Sequence, residues 1–202
     1  GDGKTIWYQA SGEDPRQLHL FAASLDGSDV RQVTRERGTH LAELSPDGQS
    51  AYVVWSNLET RPAARLLDLA SGAVLPLPQP ADPLAGFALP SQRLFQITTE
   101  GDVVLYGHLA LPPGLAEGQK CPMLLYVYGG PHVQLVTDSW FGGAPLWLQA
   151  FAAEGYVVCR LDNRGTPNRG IEFEQSVFRR LGSIEVDDQL RAVEWCKQQP
   201  FV

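Results

Sequence analysis

Met123-Leu124-Leu125-Tyr126-Val127-Tyr128-Gly129-Gly130-Pro131-His132 is the stretch whose reading decides the fold. A mostly apolar strand runs straight into two glycines and a proline. Such a continuous run suits the buried middle of a parallel sheet, where both faces are covered. The glycines let the chain bend sharply and approach a ligand closely, and Pro131 stiffens the bend. Residues 156–161 form a second buried strand, which ends in Asp162-Asn163-Arg164-Gly165.

The segments around these two strands follow an α/β order. Residues 94–98 and 103–111 flank Glu100-Gly101-Asp102, a hairpin signal. Residues 144–154 carry Leu146, Trp147, Ala150 and Phe151 at helical spacing, with Gly155 as the stop. Residues 186–199 place Val186, Leu190, Val193 and Lys197 on successive turns. Ser183 or a neighbour caps this helix, and Glu185, Asp187 and Asp188 complement its positive end. Hairpin, strand, helix, strand, helix calls for another parallel strand next.

The first half repeats itself. At an offset of 45 residues, Asp2-Gly3 falls on Asp47-Gly48, Ile6-Trp7-Tyr8 on Ala51-Tyr52-Val53, Gly27 on Gly72 and Val30 on Leu75. A period of ~40–45 residues made of short strands and Gly/Asp turns is the signature of propeller blades. An ordinary antiparallel meander with matching turns is the plainer alternative. Propellers need ~4–8 blades to close, so two repeats read as part of a larger ring. Pro76, Pro78, Pro80, Pro83 and Pro90 make residues 76–90 unfit for interior strand or helix, and they read as the crossover out of that half.

Bulk properties exclude several classes. With 44% hydrophobic and 19% charged residues, the chain has the composition of an ordered globular protein. The net charge of −7 divides as −5 over residues 1–110 (8 basic, 13 acidic) and −2 over residues 111–202 (8 basic, 10 acidic). Neither part offers the basic field that nucleic acid requires. Cys121, Cys159 and Cys196 are odd in number and widely spaced, so they read as buried free thiols. No apolar run approaches the ~20 residues that span a bilayer.

The runs Tyr128-Gly129-Gly130-Pro131, Asp162-Asn163-Arg164-Gly165-Thr166 and Leu181-Gly182-Ser183-Ile184-Glu185-Val186-Asp187-Asp188-Gln189 resemble the prolyl oligopeptidase family of serine peptidases. The likeness is best to the dipeptidyl peptidase IV branch, and the run from Gly129 to Val136 is especially similar to its eight- and nine-like members. Gly38-Thr39-His40 and Trp55-Ser56-Asn57 sit as they do in the last propeller blade of such enzymes. The resemblance implies a combined all-β and α/β fold. Residues 1–90 would be the last two or so blades of a β-propeller, and residues 91–202 the first part of an α/β-hydrolase peptidase domain. No G-x-S-x-G occurs in the 202 residues. The chain is therefore expected to stop short of the nucleophile elbow and, as a fragment, to be inactive.

The resemblance also implies an intact enzyme that releases N-terminal dipeptides through an acyl-enzyme. Its peptide substrates would carry Pro or Ala at the penultimate position, and a homodimer is among its implied states. No cofactor and no metal is expected, and the compartment stays open between cytoplasm and periplasm. An acylaminoacyl peptidase or oligopeptidase of the same family, or a non-catalytic scaffold on the same fold, are the alternatives.

Tyr128 is implied as an oxyanion-hole donor, paired with a backbone N–H just after the nucleophile. The plain alternative is an aromatic ending a core strand. Gly129, Gly130 and His132 are candidate substrate-pocket residues, with His132 as a solvent-facing histidine the alternative. His19, His40, His108 and His132 all precede any nucleophile, so with the triad order Ser, Asp, His none is the general base. Asp162 and Arg164 read as a loop pair, bonded to each other or to backbone, rather than as catalytic groups. Trp140 and Phe141 read as helix-entry packing or a pocket wall.

Overall fold

Turn chemistry organises the first of two units. The computed structural model describes residues 3–202; it consists mostly of sheets with few helices. One unit is Gly1–Ala85 with Thr137–Trp140, the other Gly86–Val136 with Phe141–Val202. In the first, β1 (Thr5–Ala10), β2 (His19–Ser24) and β3 (Arg31–Gln32) form an antiparallel sheet in that order. A second antiparallel sheet holds β4 (Thr39–Leu44), β5 (Ser50–Ser56), β6 (Ala63–Asp68) and β7 (Val74–Pro76), also in chain order.

The repeat is written into the backbone. β1 starts at Thr5 and β5 at Ser50, and Gly3 and Gly48 have φ of 65° and 71°. Gly27 and Gly72 close the following turns at 81° and 74°. Asp2 lies outside the described residues. Asp47 accepts from the Ser45 hydroxyl and the Gln49 amide, and Asp68 from the hydroxyl and amide of Ser71. These side chains close the turns that the sequence marks. Leu20, Ala51, Val53, Leu67 and Leu69 form the core beneath. Asp138 belongs to this unit: its carboxylate takes Nε of Arg37 at 2.6 Å and the amide of Leu58 at 3.1 Å.

The second unit is a four-stranded sheet with the order β10-β11-β9-β8. The hairpin of β8 (Ser91–Thr98) and β9 (Val104–Leu111) turns through Gly101 and Asp102, both at positive φ. β9 pairs antiparallel with β11 (Val157–Asp162), which pairs in parallel with β10 (Met123–Tyr126). All six residues of β11 are buried. Cys159 and Leu161 pack with Cys196 and Ala192 of α3 (Ile184–Lys197), while Val158 packs with Leu148 and Ala152 of α1 (Leu146–Ala153). The two helices therefore cover opposite faces of β11. Phe95 crosses over Gly107 on β9, where a Cβ would lie 2.1 Å from its ring, and stacks on Trp195 at 4.1 Å.

Several sequence expectations are corrected here. β10 is an edge strand, not the middle of the described sheet, and its pairing ends at Tyr126, two residues before Tyr128. The residues marked at helical spacing are largely not the buried ones. Leu146, Trp147 and Phe151 of α1 are exposed, and Leu148, Gln149 and Ala152 are buried instead. In α3, Val186 and Leu190 are exposed, while Asp188, Gln189, Ala192 and Cys196 turn inward. Ser183 occupies the N-cap without a cap bond; its hydroxyl donates to the Arg180 carbonyl, and Glu185 instead accepts from the Gly182 amide. All three cysteines are free and buried. Among the described residues no helix is long and apolar enough to cross a membrane.

Candidate active site

Beyond Tyr126 the chain leaves the sheet, and up to α1 its only regular element is the short turn Trp140–Gly143. A buried loop must still satisfy its backbone polar groups. Here the end of β11 does so with side chains. Arg160, 1% exposed, donates to the carbonyls of Leu135, Phe141 and Gly142. Asp162 accepts from the amides of Leu135 at 2.7 Å and Val136 at 3.2 Å. Asn163 donates to the Gly129 carbonyl at 3.2 Å. Three residues from one strand end thus hold points along the loop that begins at Tyr128.

The electrostatics follow from burial. Desolvation lowers Arg160 to about 10, leaving it cationic at neutral pH. Desolvation also lifts Asp162 to about 7, against the lowering pull of the Leu135 and Val136 amides and of Arg160. His108 is pushed well below its ordinary value by burial and by Arg160. Arg160 donates to His108 Nδ1 at 2.9 Å, so the neutral ring carries its proton on Nε2 and donates to Gln92 Oε1 at 2.9 Å. Gln92 in turn donates to Gln149 Oε1.

Tyr128 lies past the strand end and is 50% exposed. Gly129 has φ of 82°, and a Cβ at Gly130 would sit 3.4 Å from Cε1 of Tyr128, so the ring rests against the Gly130 backbone. His132, at φ of 76°, is largely exposed, with Nδ1 3.5 Å from Glu174 Oε1. Pro131 and His132 line a cavity of 390 Å³ with Glu174, Val177, Phe178 and Leu181. Tyr128, Gly129, Gly130 and His132 are thus consecutive parts of one loop at the C-terminal end of a parallel strand, where α/β sheets place ligands.

The structure separates Asp162 from Arg164. Asp162 bonds the loop backbone, whereas Arg164 pairs with Asp188 of α3. Phe141 is buried, and Trp140 donates its amide to the Ser56 hydroxyl. The roles of Arg160, His108, Asn163 and Gln189 were not anticipated from sequence. Arg160 carried the one available signal, a charged residue inside an otherwise apolar strand.

Comparison with known proteins bears on this arrangement. The profile of the Prolyl oligopeptidase family matches residues 145–202, and that of the Dipeptidyl peptidase IV (DPP IV) N-terminal region matches residues 1–62. The chain is 30% identical to "Dipeptidyl peptidase 8" of Mus musculus over 207 residues, covering 97% of this chain and 23% of that protein. It is 33% identical over 214 residues to "Probable dipeptidyl peptidase 4" of Aspergillus flavus, covering 98% of this chain and 26% of that one. The chain therefore spans about a quarter of the length of these relatives. A solved structure described as a "putative dipeptidyl aminopeptidase IV" from Bacteroides ovatus shares the fold with a TM-score of 0.76 at 24% identity, over 100% of this chain and 38% of that one.

Proposed function

We propose that this chain, which belongs to the prolyl oligopeptidase family, supplies in Tyr128 one oxyanion-hole donor of a serine dipeptidyl peptidase. In the fold this reading requires, residues 1–90 are blades of a β-propeller and residues 91–202 are the first part of an α/β-hydrolase peptidase domain. The open edge of β10 receives the next parallel strand, and the nucleophile comes from outside this stretch. The observation that carries the reading is the place of Tyr128, on an anchored loop at the C-terminal end of a strand paired in parallel.

In the reaction, the phenol O–H donates to the oxygen of the substrate carbonyl as negative charge develops on it. The bond strengthens in the transition state and so lowers the barrier. Peptides with Pro or Ala at the penultimate position are the substrates, and Gly129, Gly130 and His132 border the site. The test is Tyr128→Phe in the full-length protein, assayed on Gly-Pro and Ala-Pro chromogenic substrates. The expected result is a fall in kcat on the order of 10²–10³ with KM nearly constant. An unchanged kcat overturns the assignment.

A further inference from the structure

We infer that Asn163, held in place by Gln189, is a positioning residue for Tyr128; this rests on the reading of Tyr128 as the oxyanion donor. The sheet itself does not orient the tyrosine, because the last paired residues are Tyr126 and Arg160. Next to Tyr128 the loop backbone is held by the side chain of Asn163. Nδ2 of Asn163 donates to the carbonyl of Gly129 at 3.2 Å and to that of Arg164 at 2.6 Å. Two carbonyls are acceptors only, so the amide nitrogen must face them and Oδ1 must face away.

Oδ1 faces α3. There Nε2 of Gln189 donates to it at 2.9 Å, and also to the Leu161 carbonyl at 3.1 Å. Asn163 is 2% exposed and Gln189 7%, so water competes little for these bonds. A continuous path therefore runs from α3 through both amides to the Gly129–Gly130 peptide group, one residue beyond Tyr128. Gly129 adopts a positive φ that the bond to its carbonyl helps select, and the Tyr128 ring leans on the next residue. Turning the Gly129 peptide moves the ring, and a small misplacement of a transition-state donor is costly.

The experiment is a double-mutant cycle in the full-length enzyme with Asn163→Asp and Tyr128→Phe. Asn163→Asp keeps the shape and the acceptor facing Gln189, but sets an oxygen against two carbonyls. Alone it should lower kcat on the order of 10 to 10² fold with KM nearly constant. In the Tyr128→Phe background it should cause no further loss, because the group it positions is gone. An equal loss in both backgrounds, or no loss in either, overturns the inference. An unchanged kcat in Tyr128→Phe alone instead overturns the oxyanion reading, so the two failures are distinct. Where Asn163→Asp does not fold, Gln189→Met is run through the same cycle: a loss confined to the Tyr128 background supports the inference, and an equal loss overturns it.

Discussion

Asp188, fully buried near the start of α3, holds both the side chain and the backbone of Arg164. Its Oδ1 takes Nη2 at 2.7 Å, and its Oδ2 takes Nε at 3.0 Å and the Arg164 amide at 2.9 Å. The bidentate hydrogen bonds raise the guanidinium pKa above its ordinary value. The pair joins α3 to the loop after β11, next to the Asn163–Gln189 contact.

Removing the carboxylate strands a cation and a backbone amide. Asp188→Ala should cost about 3 kcal/mol, the lower end of the range for breaking a buried pair, because the Arg164 side chain keeps 24% exposure. Arg164→Lys should also destabilise, since one ammonium cannot replace the fork. Equilibrium denaturation of the full-length variants checks both.

Gly142 is required by its neighbour. A Cβ there would lie 2.4 Å from His108 Cδ2, and φ is 63°. Gly101 has a similar φ of 83° but open space around it. Gly142→Ala should therefore cost about 2 kcal/mol or more, and Gly101→Ala only about 1 kcal/mol of backbone strain. Thermal unfolding of the two variants should separate them clearly.

The stability that His40 contributes should fall on mild acidification. Burial lowers His40 from 6.5 to about 4, and His19 and Arg65 beside it push the same way. His40 Nδ1 faces an Arg65 donor at 3.2 Å, and its Nε2 donates to the Glu36 carbonyl, so the folded ring has no place for a second proton. Above 6.5 the ring is neutral in both states and the contribution is complete. As pH falls from 6.5 toward about 4, the unfolded chain binds a proton that the folded one refuses, and stability is lost. His108 adds in the same direction. Asp162, lifted to about 7, takes up its proton first in the folded state and works the other way. The His40 contribution is therefore read as a difference in unfolding free energy: the stability of the protein relative to its His40→Gln variant should shrink as pH falls through this window.

The thiols should be silent until the fold opens. Cys159 and Cys196 sit 3.6 Å apart at the β11–α3 contact, and Cys121 is buried in the same cluster. A thiol reagent should label none of the three in the native protein on the timescale on which all three react in denaturant. Rapid native labelling of Cys159 would contradict the packing.

Turns and strands were legible because they depend on local chemistry. Gly48, Gly72 and Gly101 sit at positive φ where Asp and Gly mark turns, and β8, β9 and β11 fall within one to three residues of their expected bounds. The helices were found but their inward faces were not. Periodicity says which residues share a side, and both sides of α3 carry a repeating pattern. The buried side includes Asp188 and Gln189 because Arg164 and Asn163 wait there as partners. A polar residue turns inward only when a complementary group lies opposite, and no local pattern announces that group.

The run from Met123 to His132 therefore determined, by itself, that a strand ends in a glycine bend with an aromatic hydroxyl beside it. Its family likeness and the glycine turns of the first unit are equally properties of the sequence. Only the tertiary structure decided what holds that bend: Arg160, Asp162 and Asn163 arrive from a strand more than twenty residues away and bond the loop backbone. The reason is that an irregular loop has no ladder of its own. Its buried amides and carbonyls must be met by whatever the rest of the fold brings within reach.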